Sequence, residues 1–322
     1  MPKVSVIMPA YNAEKYIAQA IESILGQTFD DFEFIIINDC SSDRTEEIIL
    51  SYDDPRIVYL KNAQNLGVAK TLNRGLAIAR GEYIARMDAD DISMPERLEK
   101  QTKHLDRYAD CGICGSNLRF FGEHIGEQPF FYSQTHSEIF GDAIFNSPFA
   151  HPVVMFRASV LKEYQLSYVS EFEGVEDYHL WHCLLRVSKG YNLQEELLHY
   201  RVHNKQVTQI YKDKQLEALL RLRRVILTEN GVHFTDEELN VFTRVCFGIR
   251  ELTSTEYLQF ISIGKRIISS VHSGKKKVAW SYAALNSALL NESKLGSGKF
   301  VSWADPLYRL MNFVYKIRRT IK

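Results

Sequence analysis

The sequence predicts an α/β protein with an open, mostly parallel β-sheet that carries helices on both faces, followed by a C-terminal helical region. Two observations support this prediction. Through the first hundred residues, short apolar runs typical of buried strands alternate with segments whose apolar residues recur at helical spacing. From about residue 211 onward, the chain shows the helical pattern alone.

Each predicted strand is short, apolar and bounded by turn residues. In chain order these strands are Val4–Met8, Phe32–Ile37, Ile57–Leu60 and Tyr83–Met87. Asn12 is placed to cap the first helix, and Asp43 and Glu46 have the spacing of a capping box for the second. The third helix is expected to stop at Gly81, and a fourth is predicted over Pro95–Tyr108.

The stretch after the fourth helix has a mixed pattern of short aromatic strands and loops. One clear helix lies within it, Glu176–Val187, and an amphipathic basic helix follows at Lys212–Leu227. We therefore expect a first domain over residues 1–210, which holds the sheet, and a helical region over residues 211–322.

The composition is that of an ordinary globular protein. The 322-residue chain is 45% hydrophobic and 25% charged, and its formal net charge of −1 gives no sign of a nucleic-acid partner. The N-terminus forms a predicted strand rather than a signal peptide, and no apolar run approaches the ~18 residues of a spanning helix. A cytoplasmic protein is expected. Cys111 and Cys114 form a lone Cys-x-x-Cys pair, which predicts reduced, structural cysteines.

The strand Tyr83–Met87 runs directly into three carboxylates, Asp88, Asp90 and Asp91. Packed like charges are costly to bury, and a divalent cation removes that cost. Hard oxygen ligands at a strand end suit Mg²⁺ or Mn²⁺ together with phosphate oxygens. These residues therefore predict a metal–diphosphate site, with an exposed acidic turn as the alternative.

Three polar segments follow predicted strands: Pro9–Asn12, Asn38-Asp39 and Asp88–Asp90. Because parallel strands end at the same edge of a sheet, these segments should gather an aromatic ring and several carboxylates in one cleft. The first of them contains no G-x-G-x-x-G loop, which argues against an NAD-dependent enzyme.

Five motifs then occur in a fixed order: Val4–Asn12, Ile37–Thr45, Asn65–Gly67, Gly81–Asp91 and Glu176–Trp181. Together they resemble the family-2 inverting glycosyltransferases of the GT-A fold, of the bacterial surface-polysaccharide type. The resemblance covers roughly residues 3–205. One such motif is a weak signal, whereas the ordered set with the matching secondary structure is a strong one.

The resemblance implies a nucleotide-sugar donor, most often a UDP-sugar, and a Mn²⁺ or Mg²⁺ cofactor. It places Tyr11 over the nucleotide base, Asp39 on the uracil N–H and Asp88 near the ribose and the metal. Asp90 would be the direct metal ligand. The implied donor-binding residues are Pro9, Tyr11, Asp39, Asn65, Lys70 and Asp88. Tyr11 could instead be a packing residue, and Asp39 a turn residue.

An inverting transfer needs a base that takes the proton of the acceptor hydroxyl. In the family's pattern the base is the Asp of a Glu-Asp pair, which is Asp177 here, with Glu176 orienting the acceptor or capping the helix. Both acids could instead only complement the helix dipole. The other motifs favour catalysis.

The resemblance gives weaker indications at four further positions. His203 falls where related enzymes carry a metal-binding histidine, and His199 is a poorer match for that role. His151 and Trp181 could line the acceptor site, since an aromatic face packs well on a sugar. Trp181 could equally belong to the core.

Near the C-terminus, apolar residues recur at helical spacing from Leu307 to Ile321. Basic residues lie among them: Arg309, Lys316, Arg318, Arg319 and Lys322. A helix of this kind can lie on an anionic membrane surface. Peripheral contact with the inner face of the cell membrane and packing on the first domain both remain open.

The sequence thus predicts an inverting, metal-dependent hexosyltransferase. It would move a sugar from a nucleotide sugar to a hydroxyl of a polysaccharide or lipid-linked oligosaccharide. Two alternatives remain: a sugar-phosphate nucleotidyltransferase on a similar sheet, and a non-catalytic protein that binds sugar nucleotides. The particular sugar, acceptor and linkage depend on pocket contacts that the sequence does not give.

Overall fold

A computed structural model describes residues 1–122, 125–203, 212–247 and 252–272. The chain divides into two compact units. The first consists of Met1–Ala143 and Ser147–Gln215, and the second of Ile144–Asn146 and Leu216–Lys322. The sheet and the predicted site residues belong to the first unit.

The described part of the first unit contains nine strands. They are β1 (Val4–Ala10), β2 (Phe32–Asn38), β3 (Ile57–Lys61), β4 (Tyr83–Arg86), β5 (Ile92–Ser93), β6 (Cys111–Gly122), β7 (Ile125–Phe130), β8 (Met155–Arg157) and β9 (Lys189–Val202). The α-helices among these strands are α1 (Ile17–Leu25), α2 (Thr45–Leu50), α3 (Val68–Ile78), α4 (Arg97–Arg107), α5 (His136–Asp142), α6 (Ala158–Tyr164) and α7 (Glu176–Val187). Short 3-10 helices cover His151–Val153 and Ser170–Phe172.

The strands form one sheet in the order β3-β2-β1-β4-β8-β6-β9-β5, with β7 beside β6. The first four strands of this order are parallel, as the alternating sequence pattern predicted. β8 is antiparallel to both β4 and β6, and β6 is parallel to β9. The expected α/β sheet is confirmed, and its second half has mixed strand directions.

The strands at the centre of the sheet are covered on both faces. All seven residues of β2 are buried, which explains its nearly continuous apolar sequence. The exception in that sequence is Glu33. Its carboxylate is 2.7 Å from Nη2 of Arg80 and accepts a hydrogen bond from Ser5 Oγ at 2.6 Å. The buried charge is therefore paired at the end of the sheet opposite the predicted site.

Two predicted helix caps are wrong. Asn12 lies four residues before the N-cap position of α1, Tyr16, and its side chain accepts a hydrogen bond from the Ser42 backbone N–H. Glu46 does not close a capping box, because its carboxylate bonds Lys61 and the Tyr59 hydroxyl on β3. In both cases a partner from another segment replaced the local hydrogen bond that the spacing suggested.

The strand register brings the predicted site segments to one edge. Ala10 lies opposite Asn38 at the ends of β1 and β2, and Arg86 lies opposite Ile7 at the end of β4. Tyr11, Asp39 and the residues after β4 consequently leave the sheet on the same side. Cys111 and Cys114 lie in β6 as buried free thiols.

The second unit is helical where it is described. The unit boundary lies within α8 (Lys212–Glu229), which belongs to the second unit from Leu216 onward. The unit also contains α9 (Asp236–Cys246) and α10 (Ser254–His272). Thr235 and Glu238 form a capping box at the start of α9. Among the described helices, none has the length and apolarity needed to cross a bilayer. The basic amphipathic segment from Leu307 to Ile321 lies outside the described residues.

Candidate active site

Three aspartates come together immediately after β4. Asp88, Asp90 and Asp91 each present a carboxylate oxygen, and these oxygens lie within 4.8 Å of one another. Nη1 of Arg86 forms an ion pair with Asp88. Burial raises the pKa of Asp88, and the positive charge of Arg86 opposes that rise. The acidic cluster that the sequence suggested is therefore a spatial cluster as well.

His203 lies against this cluster from the end of β9. Its Nε2 atom is 2.9 Å from Oδ2 of Asp90, and its ring centroid is 5.0 Å from that of Tyr16. The neighbouring Arg201 donates from Nε to the backbone carbonyl of Asp90 at 2.7 Å. The end of β9 is thus joined to the loop after β4 by two side chains, and the better of the two predicted histidines is at the site. His199 lies on β9 opposite Ile92 of β5.

Asp91 does not fit the alternative of an exposed acidic turn. It directly precedes β5 and is only 1% exposed. Its Oδ1 accepts a hydrogen bond from the Arg201 backbone N–H at 2.8 Å. Its Oδ2 is buried and has no hydrogen-bond partner among the described residues. Burial raises the pKa of this carboxyl well above its usual range.

This set of atoms fits a hard divalent cation. Three carboxylates face a common centre, and one buried oxygen lacks a partner. An unpaired buried carboxylate oxygen is costly, and coordination to a cation would satisfy it. Asp88, Asp90 and Asp91 are therefore the residues that would hold a Mg²⁺ or Mn²⁺ ion, with the His203 nitrogen beside Asp90.

Asp39 joins the end of β2 to the loop before α3. Its Oδ1 accepts from the Asn62 side chain at 2.6 Å and from the Leu66 backbone N–H at 2.8 Å. Its Oδ2 accepts from the Gly67 backbone N–H at 3.0 Å. Gly67 has a φ of 81°, a conformation that favours glycine. The carboxylate is only 4% exposed, so Asp39 shapes this loop and is more than a turn residue.

The other predicted donor-binding residues lie along the same edge. Tyr11 follows β1 and is 53% exposed, so its ring is open to solvent rather than packed in the core. Pro9 is in β1, opposite Ile37 of β2. Asn65 and Lys70 are exposed, the former in the loop before α3 and the latter on the first turns of that helix.

Glu176 and Asp177 begin α7 as the sequence predicted. Oε2 of Glu176 accepts from the Gly174 backbone N–H at 2.6 Å, and Oδ1 of Asp177 accepts from the Tyr178 backbone N–H at 2.7 Å. Burial, together with the charge of Asp177, raises the pKa of Glu176 to about 7. Burial also raises the pKa of Asp177 to about 6. A carboxylate with a raised pKa is a stronger base once it is ionised.

Electrostatic influence connects the acidic cluster with this pair. The negative charge of Asp88 raises the pKa of Asp177, and the positive charge of Arg86 lowers it. Asp88 and Arg86 come from the region of β4, and Asp177 from α7, so these two elements lie within electrostatic range of each other. Sequence reasoning missed Arg86. The signal was available, since a charged residue two positions before Asp88 interrupts an otherwise apolar strand.

The two predicted acceptor-binding residues have different surroundings. His151 is partly buried, and its Nε2 lies 3.1 Å from the Tyr168 hydroxyl. Trp181 is fully buried, with its ring among those of Phe149, His151 and Phe156. The prediction that Trp181 lines the acceptor site is therefore wrong, because a core ring offers no face to a sugar. Trp181 lies on the apolar side of α7, which packs into the core.

Comparison with known proteins identifies the family to which this chain belongs. The family model described as glycosyl transferase family 2 matches residues 5–164. An uncharacterized glycosyltransferase of Haemophilus influenzae is 36% identical over 246 residues, which are 70% of this chain and 74% of that protein. The O-antigen biosynthesis glycosyltransferase WbnJ of Escherichia coli is 36% identical over 212 residues, covering 63% of this chain and 80% of WbnJ. The chain belongs to glycosyl transferase family 2.

A solved structure shares the fold. TarS 1–349 of S. aureus, in complex with UDP-GlcNAc, superposes with a TM-score of 0.60 at 18% identity, over 91% of this chain and 88% of that chain. This likeness confirms the expected GT-A fold.

Proposed function

We propose that this protein is an inverting, divalent-metal-dependent glycosyltransferase. It moves a sugar, most simply from a UDP-sugar, to a hydroxyl of a polysaccharide or lipid-linked oligosaccharide. One observation carries the proposal: an acidic cluster suited to a cation lies within electrostatic range of a buried Glu-Asp pair at the start of a helix. The first half of that arrangement suits a diphosphate, and the second suits proton removal.

The donor half of the site is assigned to the edge formed by β1, β2 and β4. Asp39, already ordered by the Leu66 and Gly67 backbone N–H groups, would accept the uracil N–H, and the exposed Tyr11 ring would cover the base. Lys70 would reach a phosphate as a point charge. A cation held by Asp88, Asp90 and Asp91 would supply stabilisation for the charge that builds on the leaving diphosphate.

The transfer step is assigned to Asp177. The acceptor oxygen attacks the anomeric carbon, and the bond from that carbon to the diphosphate oxygen breaks. Asp177 accepts the proton of the acceptor hydroxyl, and the diphosphate leaves with the bonding electron pair. Glu176 would orient the acceptor, since its carboxylate is fixed by the Gly174 backbone N–H. Attack from the side opposite the leaving group inverts the anomeric centre, so an α-linked donor would give a β-linked product.

The acceptor class rests on a relative with a described role. WbnJ is described as an O-antigen biosynthesis glycosyltransferase, and it aligns with 63% of this chain. We extend this to a cell-envelope glycan acceptor, with the enzyme in the cytoplasm or peripheral at the inner face of the membrane. Residues 1–210 would be the catalytic domain, and residues 211–322 a helical region that brings it to a lipid-linked acceptor.

Release of UDP from a panel of UDP-sugars, with a glycan or lipid-linked acceptor, tests the proposal. Turnover should need Mn²⁺ or Mg²⁺ and stop with EDTA. Asp177→Asn should lose at least about a hundredfold in kcat, the usual contribution of a positioned base. Full activity of Asp177→Asn would refute the assigned role. Release of pyrophosphate in place of UDP would indicate a nucleotidyltransferase, and binding without turnover a non-catalytic protein.

A further inference from the structure

Arg86 is a buried cation in the middle of an acidic site. It is 4% exposed, and it is the last residue of β4. Its guanidinium pairs with Asp88, and its charge also lowers the pKa values of Glu176 and Asp177. One arginine is therefore paired with an acid after β4 and acts through its charge on two acids of α7.

The backbone of Arg86 is fixed from both sides. It lies opposite Ile7 of β1, and its N–H donates to the Val154 carbonyl at 3.0 Å. Ile7 and Val154 are themselves fully or almost fully buried. The guanidinium is thus attached to the rigid sheet, unlike the loop that carries the aspartates.

A second buried arginine, Arg97 on α4, does not share this role. Its Nη1 donates to the Pro152 backbone carbonyl at 2.7 Å. Burial and the charge of Arg86 lower the pKa of Arg97 to about 9. Arg97 therefore donates to a backbone carbonyl, whereas Arg86 pairs with a carboxylate of the acidic cluster.

Arg86 also has a donor that its pairing with Asp88 does not use. Its Nε is buried and has no hydrogen-bond partner among the described residues. A buried guanidinium N–H without an acceptor is costly, so a partner from a bound ligand or a shifted carboxylate would relieve it. The guanidinium that pairs with Asp88 thus has a further N–H for a second acceptor.

We propose that Arg86 is a positioning residue that holds Asp88 and the Glu176-Asp177 pair in one charge-balanced cluster, so that the metal-binding and base halves of the site form a single unit. This inference rests on the proposed function. It goes beyond it by assigning a role to a residue that the five sequence motifs leave without one.

Among the described residues, five groups that act on Asp177 can be named, and their effects must be separated by experiment. Glu176 lies on the same helix as Asp177, while Arg86 and Asp88 come from the β4 region. Tyr168, before α7, and Tyr132, after β7, lie within electrostatic range of Asp177. Both phenols have raised pKa values because they are buried, so they remain neutral at working pH. Arg86 is the only cation of this group of five.

The experiment compares Arg86→Met, Arg86→Lys and a matched control, Arg157→Lys. Arg157 lies beside the other end of the same strand, where its Nη1 contacts the Tyr83 hydroxyl at 3.3 Å, and its side chain is 15% exposed. Each variant is first checked for folding by its thermal unfolding midpoint. The readouts are kcat, KM for the donor, and the acid limb of the profile of kcat/KM against pH.

Arg86→Met is expected to lower kcat by tenfold to a hundredfold, within the roughly hundredfold cost of a small misplacement of reacting groups. Its acid limb should move to higher pH, because the base loses a neighbouring positive charge. Arg86→Lys keeps the charge, so it should restore the position of the limb but only part of kcat. Arg157→Lys should leave both unchanged.

A folded Arg86→Met protein with an unmoved acid limb and a change in KM alone would overturn the proposal. A second readout does not depend on turnover: the side-chain carboxyl of Asp177 is titrated by ¹³C NMR in ligand-free protein, with Asp177→Asn for assignment. Its pKa should rise in Arg86→Met and stay close to the wild-type value in Arg86→Lys. If no donor is turned over, the proposed function fails, while this titration still decides the role of Arg86.

Discussion

The Asp90 carboxylate lies 2.9 Å from Nε2 of His203, a residue 113 positions further along the chain. The contact joins the loop after β4 to the end of β9. It makes the acidic cluster a site built by two distant segments rather than by one acidic turn.

This contact predicts that His203→Ala weakens metal binding. Loss of the imidazole removes either a ligand or the group that orients Asp90, and changes of this kind cost about tenfold or more in metal affinity. Titration of activity with Mn²⁺, and calorimetry of Mn²⁺ binding, would measure the change. His199→Ala is the matched control, because His199 lies on the same strand opposite Ile92, with its ring 6.0 Å from that of Phe121. Equal Mn²⁺ affinity in both variants would exclude His203 from the site.

A second prediction concerns pH. The pKa of Asp177 is raised to about 6 by burial, and a base acts only when it is deprotonated. We therefore expect kcat/KM to be low below pH 6 and to rise as pH increases through about 6. This rise is the acid limb of the pH profile. Asp142 on α5 provides a control, because burial also raises its pKa to about 6. Asp142→Asn should retain the acid limb of the pH profile. Loss of the limb in that variant would show that the limb reports Asp142 rather than Asp177.

The same raised pKa predicts a stability effect of opposite sign to the catalytic one. An acid whose pKa is higher in the folded state stabilises that state below its unfolded pKa, and this contribution is lost as pH rises through about 6. Asp177→Asn removes the ionised form, so it should raise the unfolding midpoint at pH 8, by about 2–4 °C per kcal/mol gained. Below the unfolded carboxyl pKa of about 3.9, where Asp177 is protonated in both states, the midpoint should change little. A midpoint that falls at pH 8 would contradict the assigned burial effect.

A further prediction concerns the loop that Asp39 orders. An ideal Cβ on Gly67 would lie 2.5 Å from Oε1 of Glu173, and Gly67 has a φ of 81°. Gly67→Ala should therefore displace the loop and raise KM for the donor, with a stability loss of roughly 1–3 kcal/mol. Adding Glu173→Ala removes the contact but leaves the backbone strain, so it should restore part of KM. Full recovery in the double variant would show that φ is irrelevant here.

Much of the fold could be predicted because it depends on local patterns. The apolar run of β2 and the helical spacing of α7 both hold in the structure, and the shared edge for Asp39 and Asp88 followed from the parallel order of the strands. The capping box of Glu46 failed because a lysine on a neighbouring strand was the stronger partner. Such competition is decided by tertiary contacts, which spacing does not contain.

The candidate site likewise contains residues that could be predicted from the sequence and residues that could not. Asp88 and Asp90 could be identified because charge at a strand end is unusual, whereas the burial of Asp91 depends on β9, a distant segment. Trp181 could not be assigned from sequence, since a core ring and a sugar-binding ring have the same residue type. Arg86 was missed although it is a charged residue in an apolar strand, and its influence on the acids of α7 exists only in the folded chain.

The position of β9 has a consequence for how the protein is made. This strand is the last of the sheet in chain order, yet it lies between β6 and β5 and carries the partners of Asp90 and Asp91. A nascent chain that has released β1 to β8 from the ribosome holds three aspartates with neither Arg201 nor His203 beside them. The acidic cluster can acquire these two partners only after residue 203 has emerged from the ribosome.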